Sequence, residues 1–179
     1  MFNKRNMEKF YEVQKNGFTI STNPKLLNID MIHAFVSRSY WARGIPKELV
    51  IKSIRHSFCF GLYNQGKQIG FARLITDFTT EAKICEVFVA EPYQGKGLGK
   101  WLMECVISCP SLQGIRTLSL GTADGHDFYK KVGFHIVGEC PNRMQILYER
   151  PWYIRKRKES EKGSRKVAGV CYQRFSKGV

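Results

Sequence analysis

Val87-Phe88-Val89-Ala90-Glu91-Pro92-Tyr93-Gln94-Gly95-Lys96-Gly97-Leu98-Gly99-Lys100-Trp101 is the stretch that decides the fold. An apolar, β-branched run ends at Glu91-Pro92, the pattern of a buried strand that is stopped. Glycines follow at 95, 97 and 99, and glycine permits positive φ and close backbone approach to a ligand. Leu98, Trp101, Leu102, Cys105, Val106 and Cys109 then form one helical stripe before Pro110, which predicts an amphipathic helix. A glycine loop opening a helix presents unpaired N–H groups and a partial positive charge, a ready site for phosphate. Lys96 and Lys100 add charge to it.

Two common phosphate loops fail here. A Walker A loop needs Gly-x-x-x-x-Gly-Lys-Ser/Thr, but Gln94 stands at the first glycine position and Trp101 at the hydroxyl position. A Rossmann loop needs Gly-x-Gly-x-x-Gly, a later acid and repeated βαβ units. Lys100 replaces its third glycine, no acid lies in Gly114–Leu120, and the preceding strands read as a hairpin.

Working outward, Gly17–Ile20 predicts a short strand, whereas residues 1–16 show no clear period. Ile32, Phe35, Val36 and Ser39-Tyr40 predict a helix capped by Asn28-Ile29-Asp30 and ended by Gly44. Pro46 at a first helical position opens a second helix buried through Val50, Ile51 and Ile54. Alternation then predicts strands over Phe58–Tyr63, Gln68–Asp77 and Lys83–Ala90, the first two joined by a turn at Asn64-Gln65-Gly66. A strand over Ile115–Leu120, a short helix over Gly125–Val132, a strand from Gly133-Phe134 and a last one over Met144–Tyr148 complete the chain. The class is α/β in the α+β sense: one mixed, mostly antiparallel sheet of about six to seven strands with about four helices.

Composition bounds the rest. The 179 residues, 43% hydrophobic and 25% charged, suit one globular domain with an appendage. No apolar run approaches a membrane span, and no secretory h-region follows Met1, so a cytoplasmic protein is expected. Six scattered cysteines with no Cys-x-x-Cys, and four scattered histidines, give no reason to expect a metal. The net charge is +14, and residues 150–179 hold ten Lys/Arg against two Glu, so +8 lies in the last 30 residues. The division is therefore a body over 1–149 and a basic extension over 150–179.

The loop with its flanks, Val87-Phe88-Val89-x-x-Pro-x-Gln94-Gly-x-Gly-x-Gly99, resembles the acetyl-CoA pyrophosphate loop of the GNAT acyltransferase superfamily. Gln94, Gly97 and Gly99 fill that family's Arg/Gln-x-x-Gly-x-Gly/Ala pattern. Phe128-Tyr129-Lys130-Lys131-Val132-Gly133-Phe134 resembles its late helix, Leu-Tyr-x-Lys-x-Gly-Phe, one helix and one strand downstream. The resemblance covers residues 17–149, and Ser39-Tyr40-Trp41-Ala42 with Phe60-Gly61-Leu62-Tyr63 is similar to a small bacterial branch. Thr122 and Gly125 depart from the Asn and Ala that members often carry there.

The resemblance implies the GNAT fold and direct attack of a primary amine, on a small molecule or a protein, upon acetyl-CoA. It makes Gln94, Gly95, Lys96, Gly97, Leu98, Gly99 and Lys100 the pyrophosphate loop. It gives Val87, Phe88 and Val89 a backbone role along the pantetheine arm, and Thr122 and Tyr129 further contacts. Tyr129 is the candidate acid near the sulfur; its alternative is a core tyrosine beside Phe128 and Val132. Glu86 is the candidate base, direct or through water; its alternative is a cross-strand partner for a residue such as Arg73. Tyr40 and Trp41 are placed to wall the acceptor site or to clasp the core, and Asp124, His126 and Asp127 to cap the late helix rather than form a relay.

Two rival functions remain open at this level. One is an acyl-CoA-binding module without turnover. The other is a nucleic-acid- or ribosome-associated protein acting through residues 150–179, although a solvated extension is the preferred reading of that charge run. Trp152, Tyr153, Tyr172 and Phe175 give the extension docking potential, on the body or on a second copy of the chain.

Overall fold

The computed structural model describes residues 10–138. Two tight turns set the left half of the sheet. Asn16 and Gly17 (φ 50° and 80°), and Gln65 and Gly66 (φ 47° and 77°), both take the paired positive φ of a type I′ hairpin turn. The first joins β1 (Glu12–Lys15) to β2 (Phe18–Ser21) and the second joins β3 (Phe58–Asn64) to β4 (Lys67–Thr76). Strand β1 is an addition to the sequence expectation. It lies at the sheet edge and is largely exposed, so it has no buried face to impose an apolar period.

With β5 (Glu81–Val89) and β6 (Thr117–Ser119) the described sheet has six strands in the order β1-β2-β3-β4-β5-β6. All pairings are antiparallel except β5–β6, which is parallel. The mixed, mostly antiparallel α/β architecture is as expected. Helix α3 (Leu98–Ser108) covers one face, where Trp101, Leu102, Met103, Cys105 and Val106 pack with Phe60, Leu62, Ala72 and Leu74. Helices α1 (Ile29–Val36) and α2 (Lys47–Arg55) cover the other, where Ile32, Val36, Val50 and Ile54 meet Cys59, Phe71 and Phe88. The α3 stripe matches its sequence prediction residue for residue, with Met103 buried in addition.

Several boundaries differ for local reasons. Helix α1 begins as expected, with the Asn28 side chain accepting from Met31 N–H at 2.9 Å. It ends at Val36, well before Gly44, because the N–H groups of Arg38 and Ser39 reach back only to Phe35 and Val36, and Ser39 Oγ bonds the Phe35 carbonyl at 3.0 Å. Pro46 stands at the N-cap, one position before the helix proper. Helix α4 spans only His126–Lys130, and Gly133 (φ 95°) turns the chain away while Phe134 N–H bonds the Tyr129 carbonyl at 3.1 Å. The strand expected from Gly133-Phe134 is not formed within residues 134–138, where Ile136 and Val137 are exposed. Its expected neighbour Met144–Tyr148 and the basic extension 150–179 lie outside the described residues.

Among the described residues, no helix is long and apolar enough to cross a membrane. Leu102 is fully buried where α3 meets the sheet. Replacing it by Ala leaves a cavity there, and the expected loss is about 2–5 kcal/mol, to be read as a lower urea midpoint at unchanged slope.

Candidate active site

Strands β5 and β6 part company along their length. They pair through Glu81–Thr117, Ala82–Leu118 and Lys83–Ser119, and β6 ends there. From Ile84 to Val89 the β5 edge therefore faces no strand on that side among the described residues. A cavity of about 870 Å³ fills the gap. Residues 83–89 of β5 form its long wall, the glycine loop and the start of α3 one end, and Tyr40, Trp41, Asp124 and Tyr129 another part of the lining.

Strand β5 also breaks its own alternation. Ala82 and Ile84 face the α3 side, yet Val87 and Val89 face that same side from odd positions, and Phe88 joins the α1–α2 core. Since a strand alternates with period two, one extra residue must lie between. The register supplies it: Phe71 pairs with Phe88 but Arg73 pairs with Cys85, so Ala72 opposes both Glu86 and Val87. Glu86 is the bulge, with φ 52° in the left-handed region.

The loop is built as its glycines suggest. Gly95 and Gly97 both take φ 75°, a conformation costly for any residue with a Cβ. Gly97 is the N-cap of α3. The amides of Leu98, Gly99 and Lys100 precede the first intrahelical bond, Trp101 N–H to the Gly97 carbonyl at 3.0 Å. Gln94 turns its side chain back to donate to the Val89 carbonyl at 2.8 Å, tying the loop to the strand end. Lys96 differs from expectation: it does not line the cavity, and its ammonium lies 5.3 Å from the Tyr93 ring centroid. The ring face gives the cation an electrostatic partner. Lys100 lines the cavity and pairs with Glu104 at 3.5 Å one turn along.

Tyr129 projects from α4 into the lining, with its ring edge-on to Phe128 and Phe134. Burial first, then the neighbouring Tyr40 and Asp124, push its phenol up to about 12 from the ordinary 10.0. The two departures from the family pattern act on this residue. A Cβ on Gly125 would stand 2.9 Å from Thr122 Oγ1 and 3.1 Å from the Tyr129 ring, so the position has no room for one unless those side chains give way. Thr122 Oγ1 accepts the Gly125 N–H at 2.9 Å, just before the helix, and α4 has no side-chain cap from Asp124, His126 or Asp127. Asp127 instead pairs with Lys130 at 3.2 Å, and His126 is exposed and outside the cavity lining.

Glu86 lines the cavity, and both its carboxylate oxygens are taken by Arg73. Nε donates to Oε2 at 2.8 Å and Nη2 to Oε1 at 3.0 Å, while Nη1 donates to Ser57 Oγ at 2.9 Å. This is the cross-strand pairing given above as the alternative. Proton uptake by either oxygen would cost the ion pair. Tyr40 and Trp41 meet edge-on at 4.9 Å and are half-exposed at the cavity. The Tyr40 hydroxyl accepts the Ala123 N–H at 3.0 Å, tying the α1–α2 connection to the loop before α4. The described residues contain no cluster of His, Cys, Asp and Glu arranged to hold a metal. The bulge at Glu86 and the Thr122–Gly125 hydrogen bond are what sequence reading left unassigned.

An acetyltransferase (GNAT) domain model matches residues 55–136. A Gibberella zeae protein named as an acetyltransferase is 30% identical over 152 residues, which cover 72% of this chain and 85% of that protein. A Gracilaria tenuistipitata protein named as an uncharacterized N-acetyltransferase is 38% identical over 101 residues, 52% of this chain and 54% of its own length, so the chain spans about half of it. The solved structure of a protein assigned to the GNAT family from Xanthomonas campestris shares 39% identity at a TM-score of 0.70, covering 73% of this chain and 93% of its own.

The Tyr129 phenol predicts a pH effect on stability. Its folded value is raised, so its contribution is whole below the ordinary 10.0 and is lost as pH rises from there through about 12. The alkaline fall in urea stability of Tyr129→Phe should be shallower than that of the wild type across this window.

Proposed function

The chain belongs to the GNAT acetyltransferase superfamily, and from that premise we propose that it moves an acetyl group from acetyl-CoA to a primary amine. The observation that carries this reading is the parting of β5 from β6, which leaves the Ile84–Val89 backbone facing a cavity that runs to the N-terminus of α3. The cavity and its donors support this co-substrate. An extended arm needs an unpaired strand edge to bond along, and a pyrophosphate needs convergent amides at a helix start. Acetyl-CoA, when bound, supplies an activated acyl group that accepts the amine's lone pair and releases a thiolate.

The chain's own groups have distinct tasks in this reading. The amides of Leu98, Gly99 and Lys100, in the loop shaped by Gly95 and Gly97, hold phosphate oxygens. The backbone of Val87, Phe88 and Val89 fixes the arm and donates to the oxygen that gains charge during attack, where preorganised donors matter most. Tyr129 donates its hydroxyl proton in a hydrogen bond to the leaving sulfur. A phenol held near 12 stays protonated throughout the working range, and complete transfer to a thiolate of ordinary basicity, ~8.5, would run uphill. Its contribution is therefore hydrogen bonding as charge develops. Tyr40 and Trp41 form the wall against which the amine is presented. Since Arg73 occupies the Glu86 carboxylate, the amine's proton passes to water at the open mouth, with Glu86 serving geometry rather than proton transfer.

A purified sample should melt about 5–10 °C higher with acetyl-CoA or CoA at 100 times the dissociation constant, and unchanged with ATP or NADH. Against an amine panel, release of free thiol should appear, and Tyr129→Phe should lower kcat at least ~10-fold. A shift with acetyl-CoA but no acetylated amine would instead establish the non-catalytic binding module.

A further inference from the structure

Glu86 poses a problem that the acetyl-CoA reading does not solve. A bulge whose first residue is left-handed ordinarily takes glycine there, because a Cβ crowds the following carbonyl. Here the position holds glutamate at φ 52°. Something outside the backbone must keep it there.

The side chains supply it. Arg73 lies on β4 opposite Cys85, the residue just before the bulge. Its guanidinium grips the Glu86 carboxylate at two points, 2.8 Å and 3.0 Å, and is itself anchored to Ser57 Oγ at 2.9 Å. The two side chains are only 11% and 10% exposed. A planar two-point fork fixes orientation as well as distance. A pair so removed from water is a poor source of net stability, and what such a fork gives is a defined geometry. The geometry at stake is large: without the bulge, a one-residue slip would send Val87 and Val89 to the opposite face and Phe88 into the α3 core.

We propose that Arg73 is a positioning residue whose fork on Glu86 holds the left-handed bulge, and through it sets the Val87–Val89 edge that receives acetyl-CoA. The Glu86 carboxylate acts as a handle for the backbone. This rests on the acetyl-CoA reading for its consequence in function, and on the bulge alone for its consequence in structure.

Two double variants separate the possibilities, both free of an unpaired buried charge: Arg73→Met/Glu86→Gln and Arg73→Met/Glu86→Gly. Each lacks the fork and the carboxylate, and only glycine accepts the left-handed backbone without strain. Acetyl-CoA affinity by calorimetry should be about tenfold weaker in the Gln variant than in the Gly variant, a difference of ~1.4 kcal/mol. The Gly variant should stay near the wild type and should melt about 2–4 °C above the Gln variant without ligand. Steady-state turnover should follow the same order, with the loss in the Gln variant falling on KM for acetyl-CoA more than on kcat. Equal affinity and equal melting in the two variants would overturn the proposal. Wild-type affinity in both with equally lost kcat would also overturn it, since the carboxylate would then act chemically. If the wild type itself fails to bind acetyl-CoA, the proposed function falls, and the ligand-free melting comparison still decides the role of the fork.

Discussion

The site depends on one constraint: a strand must alternate, and β5 does not. Ala82 and Ile84 feed the core under α3, and after a single left-handed residue at Glu86 that task passes to Val87 and Val89. The change of parity lets Phe88 stack on Phe35 with ring centroids 3.8 Å apart on the other face. It coincides with the stretch where β6 has stopped and the β5 edge opens on the cavity. Apolar side chains leave through the two faces of the sheet, so the open edge is backbone, the part of a strand best suited to hold an extended amide-bearing chain.

The other parts of the cavity are held in place by similar local commitments. Gln94 ties the loop to the end of β5, Gly97 turns the backbone so that α3 starts with its amides free, and Thr122 holds the Gly125 N–H just before α4. Tyr40 binds the connection after α1 to the segment carrying Asp124. Each is a single hydrogen bond or a single backbone conformation, worth on the order of 1 kcal/mol. Together they converge loops from distant parts of the chain on one strand edge.

What could be read in advance follows from how each signal is written. Helix α3 packs one face on a large core, so its stripe was legible at every buried position from Leu98 to Val106 except Met103. The positive-φ loop was legible because glycine is the residue that such backbone demands. Strand β1 was not, since an exposed edge strand carries no alternation, although Asn16-Gly17 is itself a hairpin signal. The bulge was invisible because its residue is a glutamate, and the side-chain fork that permits it comes from another strand. Likewise Gly125 looks like a weak helix start in sequence, and its reason appears only when the Tyr129 ring lies against it. Lys96 reads as a phosphate ligand by position alone, and its ammonium lies over the ring of Tyr93.

Amide hydrogen exchange with and without acetyl-CoA tests the central claim most directly, because it reports on the strand edge itself. The account predicts that added acetyl-CoA slows exchange in Val87–Val89 and in Leu98–Lys100 together, while the β1–β2 hairpin, remote from the cavity, exchanges as before. Unchanged exchange at the β5 edge under saturating acetyl-CoA, or protection confined to other segments, would contradict it.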